Sequence, residues 1–308
     1  MSAAPGEAGT LPAAPTPVFL AANLLACSML WSSSFLFIKL SGDVDPFVLA
    51  AIRGLIGASA LVSWFVVQAK SLRPDGGQWH HWVILGALNG WIPNVIVAHA
   101  LTQIGTAPAA MIQASGPLIV AVLSHLLFVD ERLTRRRFAG VLIGFAGMGI
   151  LIGPAALPNS GISAWGALAM VATALSYATA NLYVRSIKHA DPARLALGQQ
   201  ICSGLPATAL ALVVAGPSAF AAVPGSAGPL LALGIVSTAL PILLFMRLIR
   251  RAGPTRASMV GYLQPVWTAV LAVLFLNERI GLREMIGGAV VLTGVALVSL
   301  SGRLGRVR

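Results

Sequence analysis

Ten runs of mainly apolar residues follow one another along the chain, at about 18–39, 46–68, 82–101, 107–128, 136–153, 164–184, 194–215, 228–249, 256–276 and 283–301. Each has roughly the 20 residues an α-helix needs to cross a hydrocarbon core about 30 Å thick. The strict alternation of a membrane barrel strand is missing from the sequence. Several gaps are short, so neighbouring helices must be antiparallel, and no gap is long enough for a soluble domain. The pattern predicts an all-α integral membrane protein with ten transmembrane helices. Residues 1–17, rich in Pro, Ala and Gly, read as a disordered tail rather than a signal peptide, and 302–308 as a basic tail.

The pattern repeats. A shift of 146 to 148 residues brings Asp45-Pro46 onto Asp191-Pro192, Trp31 onto Tyr177, Lys39 onto Arg185 and Arg53 onto Gln199. It brings Gly86, Pro93, Gly105, Met111 and Pro117 onto Gly234, Pro241, Gly253, Met259 and Pro265. Glu131, Arg132, Arg136, Gly140 and Gly147 fall on Glu278, Arg279, Arg283, Gly287 and Gly294. Apolar composition alone would match Leu and Ala, not an ordered series of Gly, Pro, Glu and Arg. The expected organisation is one repeat over 18–153 (spans 1–5) and a second over 154–301 (spans 6–10). Five spans is an odd number, so the second copy must enter the membrane with inverted topology.

Charge agrees with inversion. With the N-terminus in the cytoplasm, 16 of the 20 Lys and Arg fall on cytoplasmic segments, three fall outside, and Arg53 lies inside span 2. That is the bias expected of a multi-pass protein of the bacterial inner membrane with both termini cytoplasmic. The copy VDERLTRRR (129–137) carries four arginines on the cytoplasmic side, and LNERIGLRE (276–284), facing outward, keeps two, with Glu284 and neutral residues in place of the surplus charge. The chain is 57% hydrophobic and 9% charged, against about 25% charged in soluble domains. Its net charge of +11 is spread over short gaps between apolar runs, unlike the clustered basic face of a nucleic-acid binder. Two cysteines, Cys27 and Cys202, sit within apolar runs and offer neither a disulfide framework nor metal-ligand spacing. No Ser-His-Asp order, Walker loop or carboxylate pair appears, so neither an enzyme nor a primary pump is expected, and no cofactor is implied. Inverted repeats are a carrier's device, because two halves that exchange conformations open a central site alternately to each side.

The stretches WSSSFLFIK (31–39), DPFVLAAIRGL (45–55), GTAPAAMIQASGPLIVAVLSHLLFVDERLTRRRFAGVLIGFAGMGILI (105–152) and LQPVWTAVLAVLFLNERIGLREMIGGAVVLTGVAL (263–297) resemble the two EamA domains of the drug/metabolite transporter superfamily. The resemblance covers nearly the whole chain, and its most specific part is the Pro–apolar–Glu-Arg–Gly block present in both halves. It implies a permease of the bacterial inner membrane, commonly an exporter of amino acids or related metabolites. Ser32 departs from the pattern, standing where a Gly is common. The rival of the same fold is a multidrug or nucleobase exporter, and the remote alternative is a membrane-embedded enzyme or receptor. A cavity for bulky cations would want a mid-membrane acid, which the spans lack.

Polar groups inside a membrane are costly and face a cavity or a neighbouring helix. Those expected to line a substrate site are Trp31 and Ser34 in span 1, Asn89, Trp91 and Asn94 in span 3, and Gln113 in span 4. The second half contributes Tyr177, Asn181, Gln199, Tyr262, Gln264 and Trp267, with Ser33, Ser237 and Thr238 at similar depth. Pro93, Pro117, Pro241 and Pro265, paired across the repeat, are expected to kink their helices and serve as hinges. Glu131 and Glu278 cap spans 4 and 9, or act as gates. Arg53 either takes a substrate carboxylate or snorkels outward to Asp43 or Asp45, the latter being the simpler expectation. His99 and His125 are the titratable candidates for proton coupling, and facilitated export fits the absence of a buried carboxylate equally well. Small residues Gly140, Gly144, Gly147, Gly287, Gly288 and Gly294 suit close helix contact, making spans 5 and 10 scaffold or dimer helices. The expected partners are a small-molecule substrate and the bilayer. The sequence leaves monomer and homodimer open.

Overall fold

A computed structural model describes residues 15–100, 103, 112–113, 115–152, 164–187, 190–276 and 281–300. The described residues form helices, which we number α1 to α10. They are α1 (Pro17–Leu40), α2 (Pro46–Val67), α3 (Trp79–Gly86, continuing as Ile92–Ala100), α4 (Gly116–Leu127) and α5 (Arg135–Ile152). The second group is α6 (Ala164–Ser186), α7 (Pro192–Val214), α8 (Ala227–Gly234, continuing as Leu240–Ala252), α9 (Val260–Leu276, preceded by a short turn of helix at Pro254–Ala257) and α10 (Leu282–Leu300). Among the described residues, five stretches are long and apolar enough to cross a bilayer by length and composition alone: Pro17–Ile38, Pro46–Val67, Ala164–Ser186, Pro192–Val214 and Pro217–Ala252. The chain is an all-α multi-pass membrane protein.

Local chemistry starts and interrupts these helices in matched places. Asp45 Oδ1 accepts from Phe47 N (2.8 Å) and Val48 N (3.3 Å), and Asp191 Oδ1 accepts from Ala193 N (3.0 Å). In both cases the proline that follows occupies the first helical position, where its missing N–H costs nothing. The third apolar run begins as helix at Trp79, three residues earlier than its hydropathy suggests, because the interfacial Trp79, His80 and His81 extend the first turn. Within α3 and α8 the ladder widens to a π turn, at Ala87–Trp91 and at Ile235–Ala239. Pro93 and Pro241 stand just beyond. A proline ring collides with the carbonyl four residues back and returns no N–H; one extra residue in the turn relieves the collision, and the carbonyl left over needs another donor.

Packing pairs helices of the first five with helices of the second five. α1 lies on α8 and α9, and correspondingly α6 lies on α3 and α4. α2 crosses α7, α3 packs on α7 as α8 does on α2, and α5 runs along α10. Each contact thus has a counterpart with the two groups exchanged. Small residues set the distances. A Cβ on Gly54 would lie 2.8 Å from Cα of Gly204, so α2 and α7 touch backbone to backbone. A Cβ on Gly294 would lie 2.4 Å from Gly144 N and 2.6 Å from Gly140 O, and one on Gly147 would lie 2.6 Å from Val291 N. The expected close contact between spans 5 and 10 is therefore present. Lipid tails are as apolar as leucine, so such helices are held by close van der Waals contact rather than by the hydrophobic effect. Large apolar side chains point outward, among them Val67, Leu126, Trp165, Leu205, Val213 and Leu274.

Candidate transport site

The two π turns bring candidate polar residues against the opposite half. In α3 the widened turn presents Asn89, whose Nδ2 donates to Gln199 Oε1 of α7 at 2.9 Å. Its neighbour Gly90 permits the approach, since a Cβ there would sit 2.4 Å from Ser203 Oγ. Pro93 has no N–H to return to the Leu88 carbonyl, and the Ser176 hydroxyl of α6 donates to it instead at 2.7 Å. In α8 the widened turn presents Ser237 and Thr238. Ser237 shares a 2.7 Å hydrogen bond with Ser33 of α1. The Thr238 hydroxyl donates to Leu233 O (2.8 Å) and accepts from Arg53 Nε of α2 (3.2 Å).

Arg53 therefore does not snorkel toward Asp43 or Asp45, as the simpler expectation had it. Its guanidinium turns into the bundle, while Asp45 is engaged by the α2 N-terminus. The physical reason is that the Thr238 hydroxyl on the π turn lies within reach with its oxygen free to accept, and the α2–α8 contact is close: a Cβ on Gly234 would lie 3.3 Å from Arg53 O. The Tyr177 hydroxyl of α6 donates to Asn94 Oδ1 of α3 at 3.4 Å. Arg53, Asn89, Trp91, Asn94 and Tyr177 all keep part of their surface accessible despite their depth. Residues of α2, α3, α6, α7 and α8 thus converge in one polar region.

The remaining expected residues are placed as follows. Trp31 is half-buried against Phe245 of α8, edge to face at 4.9 Å, and the Ser34 hydroxyl donates to the Trp31 carbonyl of its own helix. The single Ser32 hydroxyl proton is shared between Ser28 O (2.7 Å) and Gln264 O (2.8 Å), which ties α1 to α9. Gln264 and Trp267 are half-buried on α9, and Asn181 is buried on α6. Gln199 is 3% exposed and spends its amide oxygen on Asn89. Gln113 Oε1 is buried with no hydrogen-bond partner among the described residues. Tyr262, expected at the cavity, is 0% exposed: its hydroxyl donates to Val141 O at 3.3 Å and its ring fills the space beside Gly144. It wedges α9 against α5, because the glycine leaves room there for a ring.

Pro117 lies in the first turn of α4 and Pro265 within α9, whereas Pro93 and Pro241 follow the π turns. The side chains of His99 and Pro265, and the whole of Glu278, lie outside the described residues. His125 closes the C-terminal end of α4, its Nδ1 accepting from Leu133 N at 3.1 Å.

At the end of the bundle that carries Arg250 and Arg251, acids of the first five helices meet bases of the second. Asp130 pairs with Arg185, and Asp75 with Arg194. Asp75 also accepts from Asp191 N at 2.8 Å. Glu131, 5% exposed, pairs with Arg137 at 3.3 Å and presses so closely on Gly253 (φ +84°) that a Cβ there would overlap its carboxylate. Burial raises the Glu131 pKa, and the nearby Arg137 and Arg256 only partly offset this.

The geometry supplies fixed polar groups, a turned-in cation and two interrupted helices, and a match to known proteins says what such a bundle is. The model of the EamA-like transporter family matches the chain twice, at 18–153 and at 164–300. The chain belongs to the EamA-like transporter family. This EamA-like transporter is 27% identical over 283 residues to an uncharacterised transporter of Archaeoglobus fulgidus, covering 90% of this chain and 96% of that one. It is 30% identical over 126 residues to the aromatic amino acid exporter YddG of Ancylobacter novellus, covering 41% of this chain and 43% of the exporter. A solved crystal structure superposes on this EamA-like protein with a TM-score of 0.79 at 23% identity, covering 92% of this chain and 97% of its own, which shows the shared fold.

Asparagines, glutamines and tyrosine in apolar runs were visible in the sequence as site candidates. Ser176, Ser203 and the Leu88 and Leu233 carbonyls were not singled out. The available signal was Pro93 and Pro241: an intramembrane proline leaves carbonyls that another helix must satisfy.

Proposed function

We propose that the chain is a ten-helix secondary carrier built of two inverted-topology five-helix repeats, 18–153 and 154–301, flanked by tails at 1–17 and 302–308. It exports small polar metabolites, first of all amino acids, across the bacterial inner membrane by alternating access, with both termini cytoplasmic. The observation that carries this reading is the pair of π turns. They stand 148 residues apart, each just before a proline, and each delivers polar side chains to helices of the opposite half. Interrupted helices at a repeat interface are where carriers of inverted design bind their cargo. The symmetric packing of α1 on α8 and α9 and of α6 on α3 and α4 supports two halves that can exchange roles. The partial likeness to an aromatic amino acid exporter favours amino acids as cargo.

In this reading Trp31, Ser34, Asn89, Trp91, Asn94, Gln113, Tyr177, Asn181, Gln199, Gln264 and Trp267 contribute to the cargo site or its immediate support. Pro93, Pro117, Pro241 and Pro265 shape the hinges, and Glu131 and Glu278 close the ends. The test is counterflow of a labelled amino-acid panel by the purified protein in liposomes, with and without a pH gradient. Saturable exchange without a gradient is the expected result. Exchange that appears only with a gradient would assign proton coupling, and exchange of drugs or nucleobases but no amino acid would move the cargo to the rival class. No exchange of any solute by folded protein would overturn the carrier reading.

A further inference from the structure

We propose that Arg53 is the carboxylate anchor of this transporter, so that its cargo carries a free carboxylate group held by the two Nη nitrogens. The inference rests on the carrier reading above and deepens it. Arg53 stands seven residues beyond Pro46, about 10 Å along α2 from its start. A guanidinium at that depth needs an anion or water.

Protein carboxylates do not fill the need among the described residues. Asp45 is engaged by Phe47 N and Val48 N at the start of its own helix. The ion pairs Glu131–Arg137, Asp130–Arg185 and Asp75–Arg194 belong to the basic end of the bundle. Thr238 takes only Nε. That bond fixes the plane of the guanidinium while its outer edge, the edge that meets a carboxylate in bidentate fashion, is left for a ligand.

The surroundings fit an organic acid. The Tyr177 hydroxyl, whose proton goes to Asn94 Oδ1, leaves its oxygen as a neutral acceptor. Next to Arg53 on α2, Ile52 and Ile56 join Trp91 and Phe37 in an apolar cluster, giving one wall to a side chain. With no carboxylate partner for Arg53 among the described residues, the site favours anions and zwitterions and opposes cations, whose approach would put like charges together in a medium of low dielectric constant.

The experiment is ligand-induced thermal stabilisation of the purified full-length protein in detergent, read beside counterflow in liposomes. The probes are matched sets of one side chain as the free amino acid, its primary amide and its decarboxylated amine. On the wild type, the free acids stabilise the fold and compete in counterflow, and the amides and amines do not. Arg53→Gln weakens the free acids on the order of tenfold or more, while Arg53→Lys, a point charge without the planar fork, recovers only part. Thr238→Val, which frees Nε but keeps the charge, gives a smaller loss. Equal action of acid, amide and amine on the wild type overturns the proposal, as does unchanged acid affinity in a folded Arg53→Gln. If Arg53→Gln does not fold, the wild-type comparison and Arg53→Lys decide. Wild-type exchange that survives Arg53→Gln removes the anchor and leaves the carrier standing. Failure of every probe to bind or exchange with the folded wild type overturns both.

Discussion

Substituting Gly294 by Ala tests whether close backbone contact, rather than apolar burial, holds α5 to α10. The added Cβ would lie 2.4 Å from Gly144 N, 2.6 Å from Gly140 O and 2.8 Å from Gly144 Cα. These are all backbone atoms of an intact helix, so no side chain can swing away. Restoring ordinary contact requires the two helices to part by roughly 1 Å, a gap that forfeits about a quarter to a half of the dispersion energy of each contact it opens. Overpacking of this kind costs about 1–3 kcal/mol. At about 2–4 °C per kcal/mol, that lowers Tm by roughly 5 °C. Gly288→Ala is the matched control: a Cβ there meets Val266 at 3.9 Å, an ordinary contact, so its Tm stays within about 1 °C of wild type. The assay is fluorescence-detected thermal melting of both variants in the same detergent. Equal melting of Gly294→Ala and Gly288→Ala would refute the backbone-contact argument, because the two changes add the same methyl group to the same helix.

Three further outcomes are expected. Glu131 has a raised pKa in the folded protein, so the folded state holds its proton more tightly than the unfolded chain and this group's contribution to stability falls as pH rises above about 4.5. Glu131→Gln should flatten that part of the Tm-against-pH curve, and an unchanged slope would show that the carboxylate is not buried as described. Gln199→Leu removes the acceptor of Asn89 and should cost about 1–2 kcal/mol, with the Asn89→Leu/Gln199→Leu double variant recovering about 0.6 kcal/mol as the coupling of the pair; additive losses would refute the contact. A reporter fused after Arg308 should be active only in the cytoplasm, and activity only outside would reverse the proposed topology.

The helical, membrane-spanning character of the chain was legible in the sequence because bilayer thickness sets a length and hydrocarbon excludes charge, so an apolar run of 20 residues has few alternatives. Asp45-Pro46 and Asp191-Pro192 start α2 and α7 by local chemistry, since an N-cap acts within three residues of itself, although hydropathy alone places the seventh span two residues later, at 194. Pro93 and Pro241 marked where α3 and α8 are interrupted, and the spaced glycines of 140–147 and 287–294 marked a close helix pair. Tertiary structure decided which face each polar group presents and to what. Sequence position could not separate Arg53 turned outward from Arg53 turned inward, because the choice depends on a Thr238 hydroxyl 185 residues away, displaced toward it by a π turn. Nor could it separate Tyr262 as cavity wall from Tyr262 as wedge, because the ring follows the space left by Gly144 on another helix. Length and local capping are properties of a segment. The partner of a buried polar group is a property of the packing, and only the assembled bundle fixes it.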